Sequence, residues 1–520
     1  MPLPANNTVW PPKQLEAITP KLNEWAAWYE SNTDSLTTVY TKQPANVRRG
    51  VLGAVKRFFW GDTRTDLTKP AERKLHVPAA ADLCKASSDL LFNEPPTVTV
   101  DHEKTQGRIE DLTGPDFHDA LANAAETTAA LGGSFLRITW DVELEDHPFL
   151  THVDYDAALP EFRFGRLVAV TFWRVVHTDG QIVYRHLERH ETIEGIGVIF
   201  HGLYQGTPTN LGQIVPLADH ASTAGLEVDE EGKISTESEG LAVFHWPNMG
   251  PNRSWRKDPL GQYLGRSDLD GLEPLFDALD EAYTSLLRDV RLGKAMLVVP
   301  NSLLNNNGPG AGASFGQDEI YAGVNAPPGS AADSKLSIEQ IQFDIRVQEH
   351  EQTIKLIWDQ IIKSAGYSAQ TFGDGGDVAV TATEVFAKER RSGLTQGRKG
   401  RAVRPVLEAI VKKLLAVDNL VFNFDNDLTQ PVEVELADGV KDDPEALART
   451  AQLLGTALAA SIDTRVRMVN PDKDDKWIAE EVERIKSENQ VDSLADPDTL
   501  GIDGEGLSEQ FGVENGDATE

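Results

Sequence analysis

The residues most able to hold a ligand by type and spacing lie in YSAQTFGDGGDVAVTATEV, residues 367 to 385, at Phe372, Gly373, Asp374, Gly375, Gly376 and Asp377. A phosphate-cradling loop frees backbone N–H groups with glycine and follows them with Lys and then Ser or Thr. No Lys follows here, and the two aspartates would repel phosphate. His186 and His190 have the spacing of a helical metal pair, yet Leu-Glu-Arg between them lacks the His-Glu-x-x-His pattern and the flanks alternate as in a strand. Structural histidines are expected there. PDKDDKWIAEEVE, from Pro471, resembles a calcium loop only in its acids, because Lys476 and Trp477 stand where an oxygen ligand and glycine are needed. Helix capping by Asn470 or Asp472 suits it better. There is no Gly-x-Ser-x-Gly elbow and no Walker loop, so the sequence predicts no catalytic set, no cofactor and no metal.

Composition narrows the function classes. Of 520 residues, 49 are Lys or Arg and 82 are Asp or Glu, a formal charge of −33 that opposes the basic face needed to wrap nucleic acid. Any contact with DNA must be local or weak. Cys84 is the single cysteine, which excludes an intrachain disulfide and a cysteine zinc site and fits a reducing compartment. The sequence begins without a charged and then apolar leader and contains no long apolar run, so neither a signal peptide nor a membrane span is expected. The length predicts a multidomain globular protein.

The elements change character along the chain. Residues 13 to 135 read as mixed helix, with LNEWAAWYESN amphipathic and VRRGVLGAVKRFFWGDTR basic and aromatic. From Ser134 to about Pro216, SFLRITWDV, RLVAVTFWRVV, QIVYRHLERHET and GVIFHGLY predict an antiparallel meander. Residues 221 to 240, with six acids against one Lys, read as an exposed loop. Leu269, Leu272, Phe276, Leu279, Tyr283, Leu286 and Val290 then step by three and four along one helix face. Asp270, Glu273, Asp277, Asp280 and Glu281 lie off that stripe as an acidic face, and Pro274 places the regular start near Glu273 or kinks the first turn.

A small β unit follows, with strands at AMLVVP and IQFDIRV around a long loop, and helix returns at HEQTIKLIWDQIIKSAG. Thr381 and Glu384 form a capping box for a helix over 381 to 418, roughly 57 Å if unbroken, with Gly393, Gly397, Gly400 and Pro405 predicting a bend. Its middle is basic: Lys388, Arg390, Arg391, Arg398, Lys399, Arg401 and Arg404. They read as a solvated face paired with acidic neighbours, or as a contact with DNA. VFNFDND and PVEVEL read as strands, Pro444 to Ser487 as two helices, and residues 487 to 520, with ten acids and no Lys or Arg, as a disordered tail.

Taken in order, these segments resemble the portal proteins of long-tailed double-stranded DNA bacteriophages. The likeness runs from WAAWYESNTDSL through LHVPAAADLCKASSDLLFNEPP, RHLERHETIEGIGVIFHGLYQGT, GRSDLDGLEPLFDALDEAYTSLLRDV and FGDGGDVAVTATEV to ALAASIDTRVRMVNPDKDDKWIAEEVERI. The resemblance implies an α+β chain with a mixed wing over 13–266 and 381–440, stem helices over 267–293 and 347–365, and a clip over 294–346. A tunnel loop over 366–380, a helical crown over 441–487 and a disordered acidic tail over 488–520 complete it. It implies a homo-oligomeric ring, typically of twelve copies, at one capsid vertex of the virion. Double-stranded DNA would pass through it, and terminase, major capsid protein, scaffolding protein and a head-tail adaptor would be its partners. Phe372 to Asp377 would face DNA, with a plain structural linker as the alternative. The rival functions are another head component, such as a minor capsid protein, and an acidic cytosolic hydrolase. The helix-insert-helix order of 267–365 favours the portal reading.

Overall fold

The computed structural model describes residues 3–42, 74–292, 296–300, 305–306, 313–314, 321–324, 339–341, 346–373, 382–436, 444–470, 473 and 475–494. Residues 47 to 64, Asp374 to Thr381 and the segment beyond Leu494, on which several expectations fall, lie outside them. The fold class is α+β, and the chain divides into two units, 1–378 with 386–439 and 379–385 with 440–520.

The first unit opens with α1 (Thr19–Tyr29) and α2 (Thr33–Lys42) and continues through α3 (Ala79–Phe92), β1 (Thr97–Val100), α4 (Glu103–Leu112) and α5 (Pro115–Leu131). Helix α5 starts with Pro115 at its tolerated first position and stops at Gly132, whose φ of 90° only glycine adopts freely. A Cβ at Gly132 would stand 2.7 Å from the Gly265 carbonyl, so glycine also lets two backbones touch there.

The β-branched and aromatic segments form two antiparallel sheets. In one, β2 (Gly133–Thr139) lies between β3 (Phe149–Asp154) and β10 (Val243–Pro247). In the other, β4 (Ala158–Arg163), β5 (Arg166–Asp179), β6 (Ile182–Ile193), β7 (Ile196–Thr207) and β8 (Asn210–Val215) run as a meander. The supposed acidic loop contains its sixth strand, β9 (Lys233–Glu239), paired with β7. Hydroxyls rather than apolar groups fill the buried positions of that strand, Thr236 donating to the Gly197 carbonyl over 2.9 Å.

Helix α6 (Glu273–Leu292) begins at Glu273, the first of the two starts that Pro274 allows. After it come β11 (Met296–Pro300), β12 (Asn305–Asn306), β13 (Ala313–Ser314), β14 (Tyr321–Val324) and β15 (Glu339–Ile341), then α7 (Val347–Ala365). Strand β11 pairs in parallel with β14 and antiparallel with β15. Helix α8 (Ala382–Val421) is continuous across Pro405, so the glycines and proline do not divide it. The expected strand at VFNFDND is absent: Asn423 has φ 59°, and the Asn419 amide binds the backbone of Asn426 on both sides, closing a turn. Strand β16 (Val432–Glu435) then pairs with β1.

Besides a smaller cluster of Leu3, Trp10, Leu187, Phe200 and Tyr204, two larger cores hold this unit. One gathers Trp25, Trp28, Leu83, Phe135, Phe276, Leu279 and Ile361 beneath α6 and α7, and the other packs Leu407, Ile410, Leu414 and Val417 of α8 against α4, α5 and β2. The second unit contains α9 (Pro444–Thr456), α10 (Ile462–Val469) and α11 (Asp475–Leu494), with Val466, Ile478 and Val482 in its core. Ser461 caps α10 by accepting from the Thr464 N–H. Helix α11 passes Ser487 and runs to Leu494, so a tail beginning at 488 starts too early.

Candidate functional site

The helix pair α6 and α7 grades from buried to exposed along its length. Leu269, Leu272, Phe276 and Leu279 are buried at its root and Tyr283 is half-buried, whereas Val290 is 44% exposed. Helix α7 mirrors this, with Ile361, Ile362 and Ala365 buried but Leu356 70% and Val347 52% exposed. At the outer end Asp289 accepts from Arg346 Nη2 and meets His350 Nε2, each at 2.9 Å, so the end of α6 joins the start of α7. The hydrogen bond from His350 and then that from Arg346 hold the Asp289 carboxyl below its ordinary range. The two helices are therefore antiparallel, leave the core together and bracket residues 293–345.

The acids of α6 do not form a free face. Asp280 is buried, accepting from the Tyr40 hydroxyl at 2.5 Å and the Val77 N–H at 2.9 Å, with His76 Nδ1 at 3.0 Å. Glu273 is buried too, accepting from Trp25 Nε1 at 2.8 Å and pairing with Lys21 at 2.6 Å. Lys74 bridges Asp277 at 2.7 Å and Glu281 at 3.1 Å, and Asp270, ahead of the helix, accepts from the Ser254 hydroxyl. Burial alone would lower the Lys21 and Lys74 ammonium groups, but their carboxylate partners leave both raised. Glu273, Asp277, Asp280 and Glu281 thus fasten the N-terminal segment to the root of α6 within one chain. Sequence could not show that, since the partners lie over 200 positions away.

The loop after α7 is anchored at its start. Phe372 is half-buried against Trp358, with ring centroids 5.5 Å apart, and against Tyr367, so its side chain packs inward. Gly373 follows with φ 78°. Thr395 of α8 donates to the Gly366 carbonyl at 2.6 Å, and Ser392 to Ser368 and Thr371 contacts lock the elbow. Asp374, Gly375, Gly376 and Asp377 lie outside the described residues.

The basic helix separates into one buried and several exposed cations. Lys399 is buried and reaches Asp268 and Ser87 at 2.5 Å each, while Asp268 also accepts from Tyr367 at 2.7 Å and Asn248 at 2.8 Å. Arg390, Arg398, Arg401 and Arg404 are exposed and pair with no acid among the described residues, and Arg391 donates only to the Lys363 carbonyl. Among the described residues, then, no neighbouring acid neutralises them. Sequence reasoning passed over Lys413, whose buried ammonium contacts Ser238 and the carbonyls of Glu239 and Gly240, and which burial lowers to about 8.

A cleft of about 520 Å³ opens between the two sheets, lined by Arg137, Arg174, His186, Glu188, His201 and Trp173 among others. His186 and His201 stack with centroids 5.3 Å apart and ring nitrogens 3.2 Å apart, and burial lowers both to about 4. His190 instead meets Glu188 at 2.6 Å, and Glu188 also pairs with Arg137. His186 and His190 share a strand face without a common ligand position. Among the described residues the one cluster with metal-ligand convergence is Glu145, Asp146 and His147, on an exposed loop. No described helix is long and apolar enough to cross a membrane.

No family model and no curated protein matches the chain. Among solved structures, similarity extends to the neck of a native GTA particle computed with C12 symmetry, at 12% identity over 80% of this chain and 92% of that one, with a TM-score of 0.35. That likeness is too distant to assign a family or a function.

Proposed function

We propose that the chain is the portal subunit of a tailed double-stranded DNA virion, twelve copies forming a ring at one capsid vertex. The observation that carries this reading is the antiparallel pair α6 and α7, which leaves an α+β body with apolar side chains increasingly uncovered and brackets a β-containing insert. A lone projecting helix pair would leave Val290, Val347 and Leu356 against water, and neighbours around a ring cover such residues. The net charge of −33 suits a conduit, because duplex DNA carries about one charge per 1.7 Å and a basic ring would clamp it. Residues 366–380 would border the DNA path, and terminase, major capsid protein, scaffolding protein and a head-tail adaptor would dock on the assembled ring.

In this reading the protein is no enzyme: terminase supplies the ATPase, and the chain purified alone turns over no ATP. Native mass spectrometry of the purified protein tests the assembly. The expected species has twelve chains or a close neighbour of that number; a monomer at micromolar concentration contradicts the ring and favours an acidic hydrolase.

A further inference from the structure

Two exposed surfaces of the first unit complement one another in charge and in apolar content. The ridge on α8 presents Arg390, Arg391 and Arg398 around Leu394, which is 63% exposed. Arg253 and Arg398 lie near enough to Arg266 to act with burial, the larger cause, in lowering its guanidinium. Asp268 and Asp270 act on Arg266 in the opposite sense, so the positive character of the ridge rests on its own exposed arginines, on a chain of net charge −33. An exposed Leu set among arginines with no acidic partner among the described residues is a surface suited to covering.

The loop between β2 and β3 is the counterpart. Its sequence DVELED exposes Val142 at 67% and Leu144 at 71% between Asp141, Glu143, Glu145 and Asp146. A turn holds it, with the Glu143 N–H donating to the Asp141 carboxylate and the Leu144 and Glu145 N–H groups to the Asp141 carbonyl.

The two surfaces cannot meet within one subunit. Asp146 lies in the field of Arg108, which pairs with Asp418 at 2.8 Å near the far end of α8. Asp418 is twenty residues beyond Arg398, roughly 30 Å at the helical rise. Two different surfaces set well apart on one molecule make a head-to-tail contact, the kind that closes into a ring or runs on as a filament.

We infer that the 141–146 loop of one copy docks on the Arg390–Leu394–Arg398 ridge of the next, Val142 and Leu144 covering Leu394 while the loop acids pair with the arginines. This rests on the ring reading above and names a seam within it. Each contact places positive charge between two strongly acidic copies, offsetting repulsion that would otherwise oppose closure.

Charge reversal tests the seam. E143K with E145K on the loop, or R390E with R398E on the ridge, changes only exposed side chains, and each variant alone should show at least a tenfold loss of rings. An equimolar mixture should restore them, with alternating copies, because every junction is then loop acid on ridge Arg or loop Lys on ridge Glu. Rings from either variant alone, or a mixture that stays unassembled, overturn the seam. In case the variants fold poorly, V142C with L394C in an otherwise native chain is treated with a short bis-maleimide, since Cys84 is buried. A ladder of linked subunits is expected. Rings without a ladder overturn the seam and leave the ring reading standing; monomers of the unaltered chain overturn both.

Discussion

The root of α6 and the exposed ridge of α8 treat charge in opposite ways. At the root, carboxylates and cations meet inside one chain: Glu273, Asp277 and Asp280 are engaged by Lys21, Trp25, Tyr40, Lys74 and His76. On the ridge, Arg390, Arg398, Arg401 and Arg404 reach no described acid. Burial explains the contrast, because a charge withdrawn from water must find a partner, whereas an exposed one need not. The first group is therefore answerable to stability, and the second is the one the proposed seam assigns to assembly.

Removing the Lys399 ammonium should have the largest effect, since it strands the buried Asp268 carboxylate. Lys399→Met is expected to cost about 3–5 kcal/mol, read as a lowered denaturant midpoint, with Asp268→Asn added to it recovering part of the loss. If Lys399→Met is neutral, the buried pair does not stabilise the junction. Asp280→Ala should follow at about 3 kcal/mol, because it leaves the Tyr40 hydroxyl and the Val77 N–H unsatisfied. Faster proteolysis between residues 21 and 77 would accompany that change, and an unaltered digestion rate would contradict the fastening role.

The stacked histidines each give a smaller, pH-dependent term. Their folded values near 4 lie below the ordinary 6.5, so between those limits the unfolded chain binds more protons. Stability from keeping them neutral is full above pH 6.5 and is lost as pH falls towards 4, about 2 kcal/mol per histidine by pH 5. Replacing both with Phe should flatten melting temperature against pH over that window; an unchanged slope would assign the dependence elsewhere. The smallest effect belongs to the ridge, where Arg401→Ala and Arg404→Ala should leave monomer stability within about 0.5 kcal/mol. A larger loss would mean that these arginines have partners within the fold.

Legibility in the sequence follows the same division. The apolar stripe of α6 could be read from Leu269 to Leu279 because helical period is local, and the alternating segments of β5 to β7 likewise. The partners of Asp280 and Lys399 could not, since the Tyr40–Asp280 and Ser87–Lys399 contacts join residues 240 and 312 positions apart. Strand β9 was hidden because its inward residues, Thr236 and Ser238, are polar and find their partners only in the folded state. Phe372 looked free beside glycine, whereas the aromatic contacts that hold it come from Trp358 and Tyr367.

Electron microscopy of the purified full chain bears most directly on the central claim that α6 and α7 form the stem of a ring. The account predicts closed rings with an open central channel, in which Val290 and Leu356 are covered by adjacent copies. Isolated particles with those side chains in solvent, or rings whose helix pair points away from every neighbour, would contradict it.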